Sequence, residues 1–195
     1  MSFWRKKRFF ALLLLGFLIF LFLSSSMVGR WMYPIRFQQE IREMAGKYQL
    51  DPLLIAAIIR VESNYQSETV SKKGAYGLMQ LMPDTSDWII EKAHFSDDYK
   101  DQLHHPKVSI ELGAWYLNWM AKQFDGNMVA VIAGYNAGHG KVSRWLQERE
   151  WDGTLNNSNT IPYGETRHYV QRVMYYYDIY KKLYQDEWMG TPSRP

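Results

Sequence analysis

Apolar positions along this chain recur at helical spacing, and no long segment alternates as a half-buried strand would. Phe9 to Leu23 is unbroken apolar sequence apart from Gly16, and Ser24 to Val28 extend it without a charge. Pro34 to Tyr48 carries Ile35, Ile41, Met44, Ala45 and Tyr48 near helical spacing. Asp51-Pro52 then reads as an N-cap followed by a first-turn proline. The helix they open, Leu53 to Val61, is apolar nearly all round except at Arg60, which predicts a central, buried position ending near Glu62-Ser63-Asn64. Gln66 to Gly77 reads as a loop, and Pro83-Asp84-Thr85 opens a helix through Trp88, Ile89 and Ile90. Lys92 to Pro106 is polar, a loop or short helix.

The strongest stripe runs from Val108 to Phe124, with Ile110, Ala114, Leu117, Ala121 and Phe124 on one side and Gly126 just past the end. Asn127 can cap the next helix, which runs through Ala133 and is closed by Gly134-Tyr135-Asn136-Ala137-Gly138. A short helix over Lys141–Leu146, a polar loop over Asn156–Thr160 and a Tyr-rich helix from Glu165 to Tyr184 complete the pattern. The expectation is one compact all-α domain, with residues 187–195 as a tail.

Charge changes the picture at one end only. Arg5, Lys6, Lys7, Arg8 and Arg30 give residues 1–30 a charge of +5 with no acids, whereas the remainder sets 18 bases against 20 acids, or −2. The main domain therefore lacks the electrostatic footprint of a nucleic-acid binder, and no nucleic-acid partner is expected. Phe9 to Val28 would rise about 30 Å as a helix, one hydrocarbon core. The bases before it predict a cytoplasmic N-terminus, one transmembrane helix within residues 1–30, and an extracytoplasmic domain tethered to the cell membrane. A cleaved signal peptide is the competing reading, with Ser24 and Ser26 small enough for a cleavage site and the domain then secreted. Residues 31–47 would form a membrane-proximal helix.

Several chemistries are excluded. The absence of cysteine removes disulfides, Cys-ligated zinc, iron–sulfur clusters and thiol nucleophiles. Neither H-E-x-x-H nor G-x-S-x-G occurs. His104-His105 before Pro106 reads as loop surface rather than a metal site, so no metal or cofactor is expected. Glu62 stands out. A carboxyl at the end of an apolar helix is partly desolvated, which favours its protonated form and suits a general acid. Read alone, it could equally turn to solvent beside Arg60 and Lys72.

Four ordered segments separate these readings. They are Glu62-Ser63-Asn64-Tyr65, then Ser71-x-x-Gly74-Ala75-x-Gly77-Leu78-Met79-Gln80-Leu81-Met82-Pro83, then Gly134-Tyr135-Asn136-Ala137-Gly138, then Ile161-Pro162-x-x-Glu165-Thr166-Arg167-x-Tyr169-Val170. Together, from about Tyr48 to Tyr180, the sequence resembles the catalytic domain of the soluble lytic transglycosylases. The resemblance implies a lysozyme-like, SLT-type helical domain over residues 48–186. It implies cleavage of the β-1,4 bond between N-acetylmuramic acid and N-acetylglucosamine in peptidoglycan glycan strands, without a cofactor.

By that resemblance Glu62 is the catalytic acid and then base. Ser71, Gln80, Met82, Tyr135 and Asn136 line the substrate cleft, and Tyr135 or Tyr169 orients the Glu62 carboxyl. Glu165 and Arg167 are expected to pair with each other. The same residues would also serve a hydrolytic muramidase, or a non-catalytic wall-binding scaffold that kept the fold. Such an activity would work with wall-growth, sporulation or secretion machinery.

Overall fold

Asp51 and Pro52 start a helix whose residues Leu53 to Ile59 are all buried. The computed structural model describes residues 2–188, with the side chains of 2–6 and 22–26 outside the description. The expected tail thus lies, from residue 189 onward, outside the described residues. The chain divides into two compact units, Met1–Ile35 and Arg36–Pro195.

The first unit is one helix, α1 (Ser2–Met32). Its side chains from Phe9 to Leu21 are exposed. Among the described residues no helix is long and apolar enough to cross a membrane. The expected transmembrane helix, the cell-membrane location and the membrane as partner are corrected accordingly. The part of that expectation resting on the side chains of 22–26 lies outside the described residues.

The second unit is all-α. It contains α2 (Gln38–Tyr48), α3 (Pro52–Glu62), α4 (Pro83–Ala93), α5 (Pro106–Gln123), α6 (Met128–Ala137), α7 (His139–Gln147) and α8 (Gly164–Trp188). Short 3₁₀ turns occupy Asp97–Gln102 and Ser158–Thr160. The Asp51 side chain accepts from Leu53 N at 2.8 Å and so caps α3. Leu53 through Ile59 are all buried, and each fully buried Leu or Ile contributes about 1.5–3 kcal/mol. α3 packs chiefly against α8 and also against α2, while α5 lies against α2, α4 and α6. Tyr177 of α8 donates its hydroxyl to Asp51 Oδ2 at 2.6 Å, so the cap of α3 also ties it to α8.

A buried carboxylate joins α2 to α5. Glu111 is 5% exposed and takes hydrogen bonds from Lys47, Tyr48 and Tyr99. That full set of partners is what allows a carboxylate inside. Asn127 caps α6 as its position predicts, accepting from Val129 N and Ala130 N at 3.1 Å each.

The segment between α3 and α4 is a loop, closed by antiparallel bridges Val70–Tyr76 and Tyr76–Leu81. Gly77 is required there. Its φ is +75°, and a Cβ would run into the carbonyl oxygen of Leu103.

Candidate active site

α3 ends at Glu62, and its neighbour Ser63 fastens that end to the loop. The Ser63 hydroxyl donates to Leu78 O at 2.8 Å, and its backbone N–H closes the helix on Ile59 O. Asn64 and Tyr65 then adopt left-handed φ values of 52° and 62°, turning the chain out of the helix. Tyr65 is locked by donating to Ala56 O at 3.0 Å.

The Glu62 carboxyl is half-buried and receives the Tyr169 hydroxyl on Oε1 at 2.6 Å. Burial raises its pKa from 4.5 to about 7, against the smaller opposing effects of that hydrogen bond and the charge of Arg172. Both protonation states are thus accessible near neutrality. Burial, with the nearby Glu62 charge, pushes the Tyr169 phenol well above its ordinary value, so it stays a neutral donor. Arg60, the neighbour of Glu62 in the reading that turns its carboxyl to solvent, lies over the Tyr176 ring at 5.4 Å.

Glu62 opens into a cleft of about 380 Å³ that also presents Ser71, Gln80, Met82, Tyr135 and Asn136. Six of the seven site residues expected from sequence thus share one cavity. The seventh, Tyr169, is 7% exposed and stands behind Glu62 rather than on the surface of the cleft. Lys72, Lys73, Ala75 and Glu165 complete the lining.

The side chains are not equally available to a ligand. Ser71 Oγ accepts from Ala75 N at 2.9 Å and Lys73 N at 3.3 Å, shaping the loop while keeping its own proton to donate. Gln80 Nε2 donates to Gly77 O at 2.9 Å and Thr69 O at 3.0 Å, so only its carbonyl oxygen remains for a ligand. Asn136 Oδ1 accepts from the Thr166 hydroxyl at 2.8 Å, so what it offers is its amide nitrogen. Met82 is 40% exposed and provides an apolar wall. Tyr135 donates to Met79 O at 2.8 Å, which makes it a brace of the cleft rather than the group that orients Glu62.

Glu165 and Arg167 do not pair. Two residues apart on a helix they leave different faces. Glu165 meets Lys73 at 3.5 Å, both side chains being largely exposed, and Arg167 donates to Asn159 O at 3.2 Å. Lys73 was missed at the sequence level, since nothing local marks a loop lysine as facing a residue 92 positions away.

Comparison with known proteins follows from this geometry. The family model described as "Transglycosylase SLT domain" matches residues 39–158. The soluble lytic murein transglycosylase of Salmonella typhimurium is 37% identical over 130 residues, covering 64% of this chain and 20% of that protein. The protein of the same name from Escherichia coli K12 is 31% identical over 160 residues, covering 80% and 24%. Among solved structures, an inactive glutamate-to-glutamine mutant of lytic transglycosylase Slt from Pseudomonas aeruginosa is 38% identical. It superposes with a TM-score of 0.70 and covers 77% of this chain and 24% of that one. The 70 kDa soluble lytic transglycosylase of Escherichia coli in complex with bulgecin A gives 0.72 at 27% identity, over 85% and 27%.

This chain therefore spans about a quarter of the length of the relatives it matches. Its Arg36–Pro195 unit has the expected all-α, lysozyme-like SLT fold. The chain belongs to the transglycosylase SLT domain family.

Proposed function

We propose that this chain is a peptidoglycan lytic transglycosylase, with its catalytic domain at residues 48–186 and residues 31–47 leading into it. The substrate is the glycan strand of peptidoglycan, cleaved at the β-1,4 bond between N-acetylmuramic acid and N-acetylglucosamine. The observation that carries this reading is the carboxyl of Glu62, desolvated to a pKa of about 7 at the end of α3 inside a cleft.

In its protonated form Glu62 gives its proton to the glycosidic oxygen as the bond to C1 breaks. The resulting carboxylate then takes the proton of the muramoyl C6 hydroxyl, whose oxygen bonds to C1 of the same sugar. The product is a 1,6-anhydro end, and Glu62 finishes protonated. One carboxyl serves both halves, with Tyr169 holding its orientation.

Most glycosidases use two carboxylates that flank the scissile bond. The other carboxylate of this cleft, Glu165, is exposed and ion-paired with Lys73, which supports an attacking group supplied by the substrate itself. The intramolecular hydroxyl is already positioned and replaces a bound water. Ser71, Gln80 and Asn136 offer one donor or acceptor each for acetamido and hydroxyl groups, and Met82 and Tyr135 bound the sugar's path. The relatives' names and the inactive glutamate-to-glutamine mutant of the Pseudomonas protein support the same reading.

Mass spectrometry of glycan digested by the full chain tests it. Anhydro ends, lighter by one water than reducing ends, are expected. Release of reducing ends alone would assign a muramidase, and release of nothing would leave a wall-binding module.

A further inference from the structure

The lining side chains of the Glu62 cleft that can carry charge at neutral pH are Glu62, Lys72, Lys73 and Glu165. Lys73 and Glu165 offset each other, with Lys73 Nζ 3.5 Å from Glu165 Oε2. Glu62 carries no charge in the protonated form that begins the reaction. Lys72 makes no ion pair among the described residues. The cleft is therefore left with a net positive charge, although residues 31–195 as a whole set 18 bases against 20 acids.

The backbone that presents Lys72 is fixed. Gly74 N donates to Ser71 O and Ser71 N to Ala75 O, each at 2.9 Å, so Lys72 and Lys73 are the central residues of a closed turn. Inside that turn Ser71 Oγ accepts from Lys73 N and Ala75 N. Gly74 completes it at a φ of +86°, a conformation that glycine adopts without strain. The two lysine side chains at its tip are exposed. Lys73 is tied to the first turn of α8 through Glu165. Lys72 thus has a pinned backbone and a free ammonium at the edge of the cleft. A lysine ammonium is a compact point charge on a flexible stem, suited to a carboxylate that itself hangs from a flexible branch.

We propose that Lys72 is a specificity-determining residue that recognises a carboxylate on the muramoyl side branch of the bound glycan strand. An uncharged sugar ring gives a cation no partner, whereas the lactyl ether of N-acetylmuramic acid ends in a carboxyl. That carboxyl is free on a strand without stem peptides, and otherwise it is amide-linked to a peptide bearing carboxylates of its own. Lys72 accordingly favours muramoyl strands over uncharged N-acetylglucosamine polymers of the same length. The assignment rests on the transglycosylase reading, which makes the muramoyl strand the occupant of the cleft.

The test uses the full chain carrying Glu62→Gln, titrated by calorimetry with soluble strands of equal length. The strands are peptide-free muramoyl glycan, the same glycan with its lactyl carboxyls converted to methylamides, and glycan bearing stem peptides. The peptide-free strand is expected to bind about threefold more tightly than its methylamide, the size of an exposed charge pair. Adding Lys72→Gln should abolish that ratio and Lys72→Arg should keep it. Lys182→Gln, which removes the same charge from an exposed position late in α8, should leave it in place. The ratio should also shrink between about 10 mM and about 1 M salt, as the screening length falls from about 30 Å to about 3 Å. A Lys72-dependent preference confined to the peptide-bearing strand would equally support the carboxylate site and make the stem peptide its source.

If the unsubstituted chain cleaves glycan but neither anionic strand gains a preference that Lys72→Gln removes, the carboxylate site is overturned and the transglycosylase reading stands. If no strand binds and the unsubstituted chain cleaves nothing, both are overturned together.

Discussion

The hydroxyl of Tyr169 donates to Glu62 Oε1 at 2.6 Å across 107 residues of sequence, joining the second turn of α8 to the last residue of α3. Both partners sit where water is scarce, and each changes how the other titrates. The hydrogen bond favours the carboxylate, while burial favours the acid and wins.

Tyr169→Phe removes the effect that lowers the Glu62 pKa, so that pKa should rise further above about 7. The proton donor is the protonated form, so the alkaline limb of the activity profile should move to higher pH. The loss of orientation should cost about tenfold in kcat. A pH–rate profile of the variant against the unsubstituted chain measures both.

Glu62→Gln should lower the cleavage rate by about 10³-fold or more, the size expected for loss of a general acid. The same substitution has a stability signature. A folded pKa of about 7 against an ordinary 4.5 means that the folded chain holds a proton the unfolded chain releases. Stability should therefore fall as pH rises from about 4.5 to about 7, by roughly 3 kcal/mol in total. Denaturant unfolding should show that contribution in the unsubstituted chain and its absence in Glu62→Gln, which gains relative stability at pH 8 and not at pH 4.

Glu165→Gln should lower activity by less than about tenfold, since the carboxylate is exposed and engaged by Lys73. A loss of the size expected for Glu62→Gln would make Glu165 a second catalytic carboxylate. Initial rates on purified glycan decide it.

Asp51→Ala removes the acceptor for both Leu53 N and the Tyr177 hydroxyl. Urea unfolding should report a loss of about 1–3 kcal/mol, more than a simple cap, because the Tyr177 hydroxyl is left without its charged partner. Tyr177→Phe should cost less, since it leaves the cap in place.

Gly77→Ala combines a positive φ with a collision against backbone, at Leu103 O, and should cost more than about 3 kcal/mol. At Gly113 an added Cβ meets the flexible side chain of Met79 instead, and Gly113→Ala should cost about 1–3 kcal/mol. Thermal unfolding of the two variants ranks them.

Features that depend on near neighbours were legible in the sequence. Asp51 with Pro52, and Asn127 before Met128, cap their helices as their residue types predict. The apolar sweep of Leu53 to Ile59 foretold a central helix, and the ordered motifs foretold six residues of one cleft. What depended on folding at a distance was not legible. The sequence left Tyr135 and Tyr169 as equal candidates to orient Glu62, and only the placement of α8 separates them. Gln80 was expected to line the cleft, and only the folded loop shows that its amide nitrogen is used to close that loop on Thr69 and Gly77. Glu165 and Arg167 looked like partners because they are near in sequence, though helical geometry sends them to Lys73 and Asn159.

The most direct measurement of the central claim is a titration of the Glu62 side chain itself, followed by the carbon-13 shift of its carboxyl with Glu62→Gln to assign the signal. A midpoint of about 7 is predicted. A midpoint near the ordinary 4.5 would mean that the carboxyl is ionised throughout the neutral range, and would contradict its role as proton donor.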